Sequence, residues 1–196
     1  MTASSPKGSG PATMPAAITL ETVLHGAAGP LMAHWLDLSR ACGGGIPRRA
    51  RIEPAAFASL LSSVYVCERS GSGIRYRLAG AQIEQVLGMS VRGLSLPEIF
   101  PDPLALEVIS GVYNAVMERP ALAFGRGQVY VRLNRIGFGT RLVLPLSSDG
   151  RAVDMLIGAT VAESERRIAA GEGTDKRQNS VVIALRDLPG LNWSGA

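Results

Sequence analysis

The stretch Ser63–Gly93 reads SVYVCERSGSGIRYRLAGAQIEQVLGMSVRG, and the rest of the chain is interpreted around it. Two short runs, Val64 to Arg69 and Ile74 to Ala79, flank Ser70-Gly71-Ser72-Gly73. In the second run Ile74, Tyr76 and Leu78 alternate with Arg75 and Arg77. Side chains of a strand point to opposite faces with period two, so this alternation predicts a half-buried strand. Two β-rich runs joined by a few Gly and Ser residues predict a hairpin. After Gly80 the period lengthens. Ile83, Val86 and Leu87 fit one short helix, ended by Gly88 because glycine accepts the left-handed C-terminal conformation.

Downstream, Met89 to Pro103 mixes apolar residues with Gly93, Pro97, Pro101 and Pro103, which predicts short helical turns. The longest predicted helix runs from Pro103 to Arg119, with Leu104, Val108, Val112, Ala115 and Val116 as its apolar face and Pro120 as its stop. The last third is β-rich. Ala121 to Arg132 carries Phe124, Val129, Tyr130 and Val131; Asn134 to Gly139 is turn-like; Thr140 to Leu146 alternates on Leu142, Leu144 and Leu146. Asp149-Gly150 is a hairpin signal, and Val153 to Val161 is apolar enough for a central strand. Ser180 to Leu185 is either one more strand or a fold-back arm.

Upstream, Pro30 to Cys42 predicts an amphipathic helix. Proline suits its first position, Leu31, Trp35, Leu38 and Cys42 form one stripe, and Gly43, Gly44 and Gly45 end it. The stripe either docks on its own domain or pairs with a partner or a second copy, through Leu31, Trp35 and Leu38. Ile46 to Pro54, IPRRARIEP, is an extended linker, and Pro54 to Leu61 a short helix. Arg48, Arg49 and Arg51 are either anion contacts, because the guanidinium fork matches carboxylate and phosphate, or ties between linker and domain.

The 196 residues fit one main domain with tails: 1–29 as a flexible N-terminal segment, 30–161 as the domain, and 162–196 as a C-terminal tail. Pro, Gly, Ser, Thr and Ala dominate the first 17 residues, a composition that predicts disorder. Net charge is +4, and Lys7 and Lys176 are the only lysines. The arginines are scattered, unlike the concentrated basic face of a nucleic-acid binder. Cys42 and Cys67 are the two cysteines, too few for a zinc framework. No run approaches the roughly 18 apolar residues of a membrane span, and no secretory leader is evident, so a cytoplasmic location is expected.

The order of elements is two strands, several short helices, one long helix and three strands. It predicts an α+β fold, a five-stranded antiparallel sheet with helices on one face, plus the N-terminal amphipathic helix. Trp35, Ile46-Pro47-Arg48-Arg49 with Ile52 and Pro54, Tyr76-Arg77-Leu78-Ala79-Gly80, Gly88 and Gly93, and Leu144-Pro145-Leu146 occur in that order. In this the chain resembles the single-domain PAS family widespread in alphaproteobacteria, over roughly Pro30 to Val161. The resemblance implies a non-catalytic sensory or regulatory module, acting through a partner protein or a homodimer. It also implies a small-ligand space between sheet and long helix, walled by Tyr76, Leu78, Val108, Val112, Leu144, Met155 and Ile157 or simply filled by them. Such a lining, with Tyr76, Tyr113 and Asn114 as its polar groups, favours an apolar or aromatic ligand.

The cofactors of PAS sensors are disfavoured by residue type. The long helix has no His or Cys to ligate haem; Met117 is its only soft ligand. Both cysteines lie outside the helical segment that flavin photochemistry uses. An enzyme is not expected. His25 and His34 precede the domain without a nucleophile constellation, and no G-x-S-x-G, H-E-x-x-H or phosphate loop occurs. Gly125-Arg126-Gly127 lies between β-type residues, and Glu163 and Glu165 stand in a charged stretch that suits solvent.

Overall fold

In the computed structural model, residues 18–71, 73–132, 135–168 and 180–193 are described. The expectations for 1–17, for Asn134 and for the part of the tail at 169–179 lie outside them. The first helix, α1 (Leu20–Leu24), is capped by the Thr19 hydroxyl, which accepts the Thr22 N–H at 3.2 Å. Helix α2 (Gly29–Ala41) starts one residue before the expected Pro30, which takes its second position. A 3-10 segment, Pro54–Ser63, leads into β1 (Val64–Ser70) and β2 (Gly73–Ala79). Then come α3 (Ala81–Leu87), α4 (Leu96–Ile99) and α5 (Pro103–Glu118). Gly88 ends α3 at φ +78°, where a Cβ would be strained. Ser95 and Glu98 form a reciprocal capping box at α4. The remaining strands are β3 (Ala121–Arg132), β4 (Arg135–Leu146), β5 (Met155–Arg167) and β6 (Ser180–Ala184).

The sheet is antiparallel throughout and has six strands, in the order β2-β1-β5-β4-β3-β6, where five were expected. The sixth is the 180–184 segment, which pairs with β3 from Ala121↔Ala184 to Gly125↔Ser180. Residues 135–139, expected as a turn, extend β4 instead. Glycines 137 and 139 read as breakers in sequence, but here they leave room for neighbours: a Cβ on Gly137 would strike the Tyr130 ring, and one on Gly139 the Val161 carbonyl.

Period-two alternation divides the core in two. On one face Val64, Val66, Leu142, Leu144, Leu146, Met155 and Ile157 cluster with α1, α2 and the 3-10 segment. On the other, Tyr65, Cys67, Tyr76, Val143 and Leu156 cluster with α3, α4 and α5. The helices between β2 and β3 thus cover one face as expected, and the leading helix covers the opposite one. Leu31 and Trp35 are completely buried there, and Leu38 is half-buried. Burying a large apolar side chain contributes about 1.5–3 kcal/mol. Trp35 adds a hydrogen bond from Nε1 to the Pro145 carbonyl at 2.7 Å. The stripe therefore docks on its own domain.

Two expected boundaries move. The segment 1–29 is not all outside the fold, because Leu20 and Val23 are buried in the α2 cluster. The tail 162–196 supplies the end of β5, all of β6, and Leu185 and Leu188, both buried. Trp193 stacks on Trp35 with ring centroids 6.0 Å apart, and Leu20 N–H bonds the Pro189 carbonyl at 2.9 Å. Chain ends with few apolar residues show no periodicity alone; they gain a place only when a distant surface receives them.

Candidate functional site

A cavity of about 300 Å³ lies between the sheet and α5. Its apolar wall includes Ile83, Leu87, Phe100 and Ile109. Its sheet wall is more polar than expected. Tyr65 comes from β1, Tyr76 from β2, Arg141 from β4 and Thr160 from β5, with Tyr113 facing them from α5. Parity explains the set. Arg141 has the same alternation as Val143, and Thr160 the same as Leu156 and Gly158, so both look toward α5.

The three tyrosines form one aromatic group. Tyr65 lies 5.4 Å from Tyr76 and 6.1 Å from Tyr113, centroid to centroid. The hydroxyls of Tyr76 and Tyr113 share a buried hydrogen bond of 3.0 Å. The Tyr65 hydroxyl stands near those of Tyr113 and Thr160 without a bond of good geometry, and is the one buried side-chain polar atom without a partner among the described residues. Burial pushes the Tyr65 phenol up to about 12, against the opposing pull of the Arg141 charge. Burial also holds Tyr76 and Tyr113 well above the usual phenol value.

Arg141 is half-buried and held from two sides. Its Nη2 donates to the Val129 carbonyl at 2.5 Å, and its Nε reaches Thr160 Oγ1 at 3.4 Å. Asp102 also lines the cavity and accepts the Ala105 N–H at 3.0 Å as the N-cap of α5. Gln128 completes the polar part of the lining.

Of the seven wall residues expected from the sequence, Tyr76 lines the cavity. Leu144, Met155 and Ile157 are buried on the opposite face, against α2. Leu78 is 44% exposed. A register shift between Val66 and Cys67 on the partner strand disturbs the simple alternation there. Val108 and Val112 are half-buried and do not line the cavity. The helix turns its Ile109, Tyr113, Val116 and Met117 stripe inward instead, leaving Leu104 54% exposed. Both stripes repeat at helical spacing; the Tyr113 ring and hydroxyl, which meet Tyr65 and Tyr76, select one. Asn114 does not line the cavity. Tyr65, Arg141 and Thr160 were missed; the signal available was their alternation with Val66, Leu142 and Ala159.

Arg48, Arg49 and Arg51 lie elsewhere, with exposed side chains. The linker is tied through its backbone: Arg49 N–H donates to Ser147 O at 2.8 Å and Ser147 N–H to Pro47 O at 3.0 Å. Arg48 and Arg51 line a second cleft of about 430 Å³ at the end of α2. His25 Nδ1 donates to the Glu21 carbonyl at 2.9 Å, and His34 Nε2 accepts the Glu53 N–H at 3.1 Å. Glu163 and Glu165 are on β5, where they pair with Arg126 and Arg135. Among the described residues no group of three His, Cys, Asp or Glu side chains is arranged to hold a metal, and no helix is long and apolar enough to cross a membrane.

The family described as PAS domain matches residues 23–161. Among solved structures, the PAS domain of Bordetella pertussis BvgS is similar, with 17% identity over 55% of this chain and 81% of that one, at a TM-score of 0.44. No curated protein matches the chain.

Proposed function

The chain belongs to the PAS domain family, whose members are sensory and regulatory signalling modules, and we propose that it is a non-catalytic one whose signal is a small molecule held between the sheet and α5. One observation carries this reading: a cavity of about 300 Å³ into whose wall a buried hydroxyl, that of Tyr65, is set without a partner. Buried polar groups are otherwise almost always bonded, and an unpaired one marks a place where a ligand or water completes the set. Among the described lining residues there is no Ser, Cys or His to make a nucleophile–base pair. PAS domains often act through a partner protein or a second copy. Here Leu31 and Trp35 are not available for that, because the chain's own core takes them.

The test is native mass spectrometry of the chain purified from its own host. A reproducible bound mass is expected, and it should be lost in Ile109→Trp, which fills the cavity. Identical bare masses for both proteins would overturn the reading.

A further inference from the structure

We infer that the cavity selects a small organic monocarboxylate, its apolar body against Ile109 and Tyr113 and its anionic head at Arg141. This rests on reading the cavity as a ligand site. Arg141 is the one cation among the described lining residues. The ion pairs among the described residues join Arg40 to Asp37, Arg77 to Glu68, Arg126 to Glu163, Arg135 to Glu165 and Arg186 to Asp187; none includes Arg141. A guanidinium has five donors in a planar fork, and those on Nε and Nη2 reach neutral oxygens only, Thr160 Oγ1 at 3.4 Å and Val129 O at 2.5 Å. A half-buried charge answered only by dipoles is poorly compensated, and a carboxylate in the cavity compensates it fully.

The neighbouring groups suit the same head. The unpartnered Tyr65 hydroxyl lines the same cavity as Arg141 and supplies a second donor for the carboxylate head. Asp102, the acidic group of the wall, already caps α5 and repels the anionic end, which orients the ligand toward β4. Arg141 brings one positive charge, which matches the single charge of a carboxylate. A phosphate, with close to two, would remain uncompensated.

The experiment is calorimetric titration of the full chain with benzoate, phenylacetate and hexanoate, each beside its primary amide. At least one carboxylate should bind about tenfold more tightly than its own amide, the usual worth of a charge-assisted bond over a neutral one. Arg141→Gln should bring that pair within about twofold, and Arg141→Lys should keep part of the preference. Equal binding of carboxylate and amide by the wild-type chain would overturn the carboxylate assignment and leave the cavity reading standing. No binding of either series at millimolar concentration would overturn both. Should Arg141→Gln not fold, the wild-type ratio and Arg141→Lys decide.

Discussion

The ring of Tyr65 lies across Gly158, its register partner on the neighbouring strand. A Cβ at 158 would collide with the ring Cζ and the hydroxyl. The missing side chain on β5 is what lets an aromatic ring lie along the sheet and carry its hydroxyl into the cavity. Across β4, Val143 completes the same row. The opposite face shows no such economy: Leu142, Leu144 and Leu146 fill it against α2.

Gly158→Ala should therefore destabilise the fold by about 1–3 kcal/mol, the usual cost of overpacking. Tyr65→Ala in the same chain should remove most of that penalty, since the colliding ring is gone. Urea unfolding of the two single variants and the double variant measures the coupling. Additive costs would mean that 158 and 65 do not interact as the geometry requires.

The hydrogen bond between Tyr76 and Tyr113 leads to a second cycle. Either Tyr76→Phe or Tyr113→Phe leaves a buried hydroxyl without its partner and should cost about 1–2 kcal/mol. The double Phe variant should cost no more than one of them, because neither hydroxyl of that pair is left to be orphaned. A double variant costing the sum of the singles would contradict the shared bond.

Trp35→Phe should cost about 1–3 kcal/mol, because it strands the buried Pro145 carbonyl that Nε1 now satisfies at 2.7 Å. Denaturant unfolding followed by circular dichroism reads it. A change under about 0.5 kcal/mol, the range of an ordinary surface substitution, would count against Trp35 as a core anchor.

The protein has four tyrosines, and each is pushed above its ordinary value of 10.0, Tyr65 and Tyr130 to about 12. A phenol whose value is raised by folding keeps its proton in the native state after the unfolded chain has released it. Its contribution is fully present below pH 10.0 and is lost as pH rises toward about 12. The phenol contribution should be flat below that window and fall within it. Tyrosinate absorbance should rise together with loss of native circular dichroism. Ionisation of Tyr65, Tyr76 and Tyr113 at their ordinary value in a folded chain would refute the burial of this group.

Much of the fold was legible before any coordinates. The β1–β2 hairpin, the α3 stop at Gly88 and the start of α5 at Pro103 rest on local rules of period, capping and proline geometry. The site was legible at Tyr76 and Tyr113. The Leu142, Leu144 and Leu146 alternation showed that β4 has two faces, but not which one meets α5. Choosing the leucine face sent the expected lining to the wrong side of the sheet, since the amphipathic helix that hides the leucines lies more than 100 residues earlier in the chain.

By itself the sequence determined the kind of module: the order of its main strands and helices, and hence membership of the PAS family over residues 23–161. Those are consequences of contacts close along the chain. The tertiary structure alone decided that Leu20 and Val23 at one side and Leu185 and Leu188 at the other are stitched into the core, that α2 and α5 take opposite faces, and that Arg141 and Tyr65 share a cavity. The reason is that period two makes each strand ambiguous by one residue, and only packing against distant helices says which side is inside.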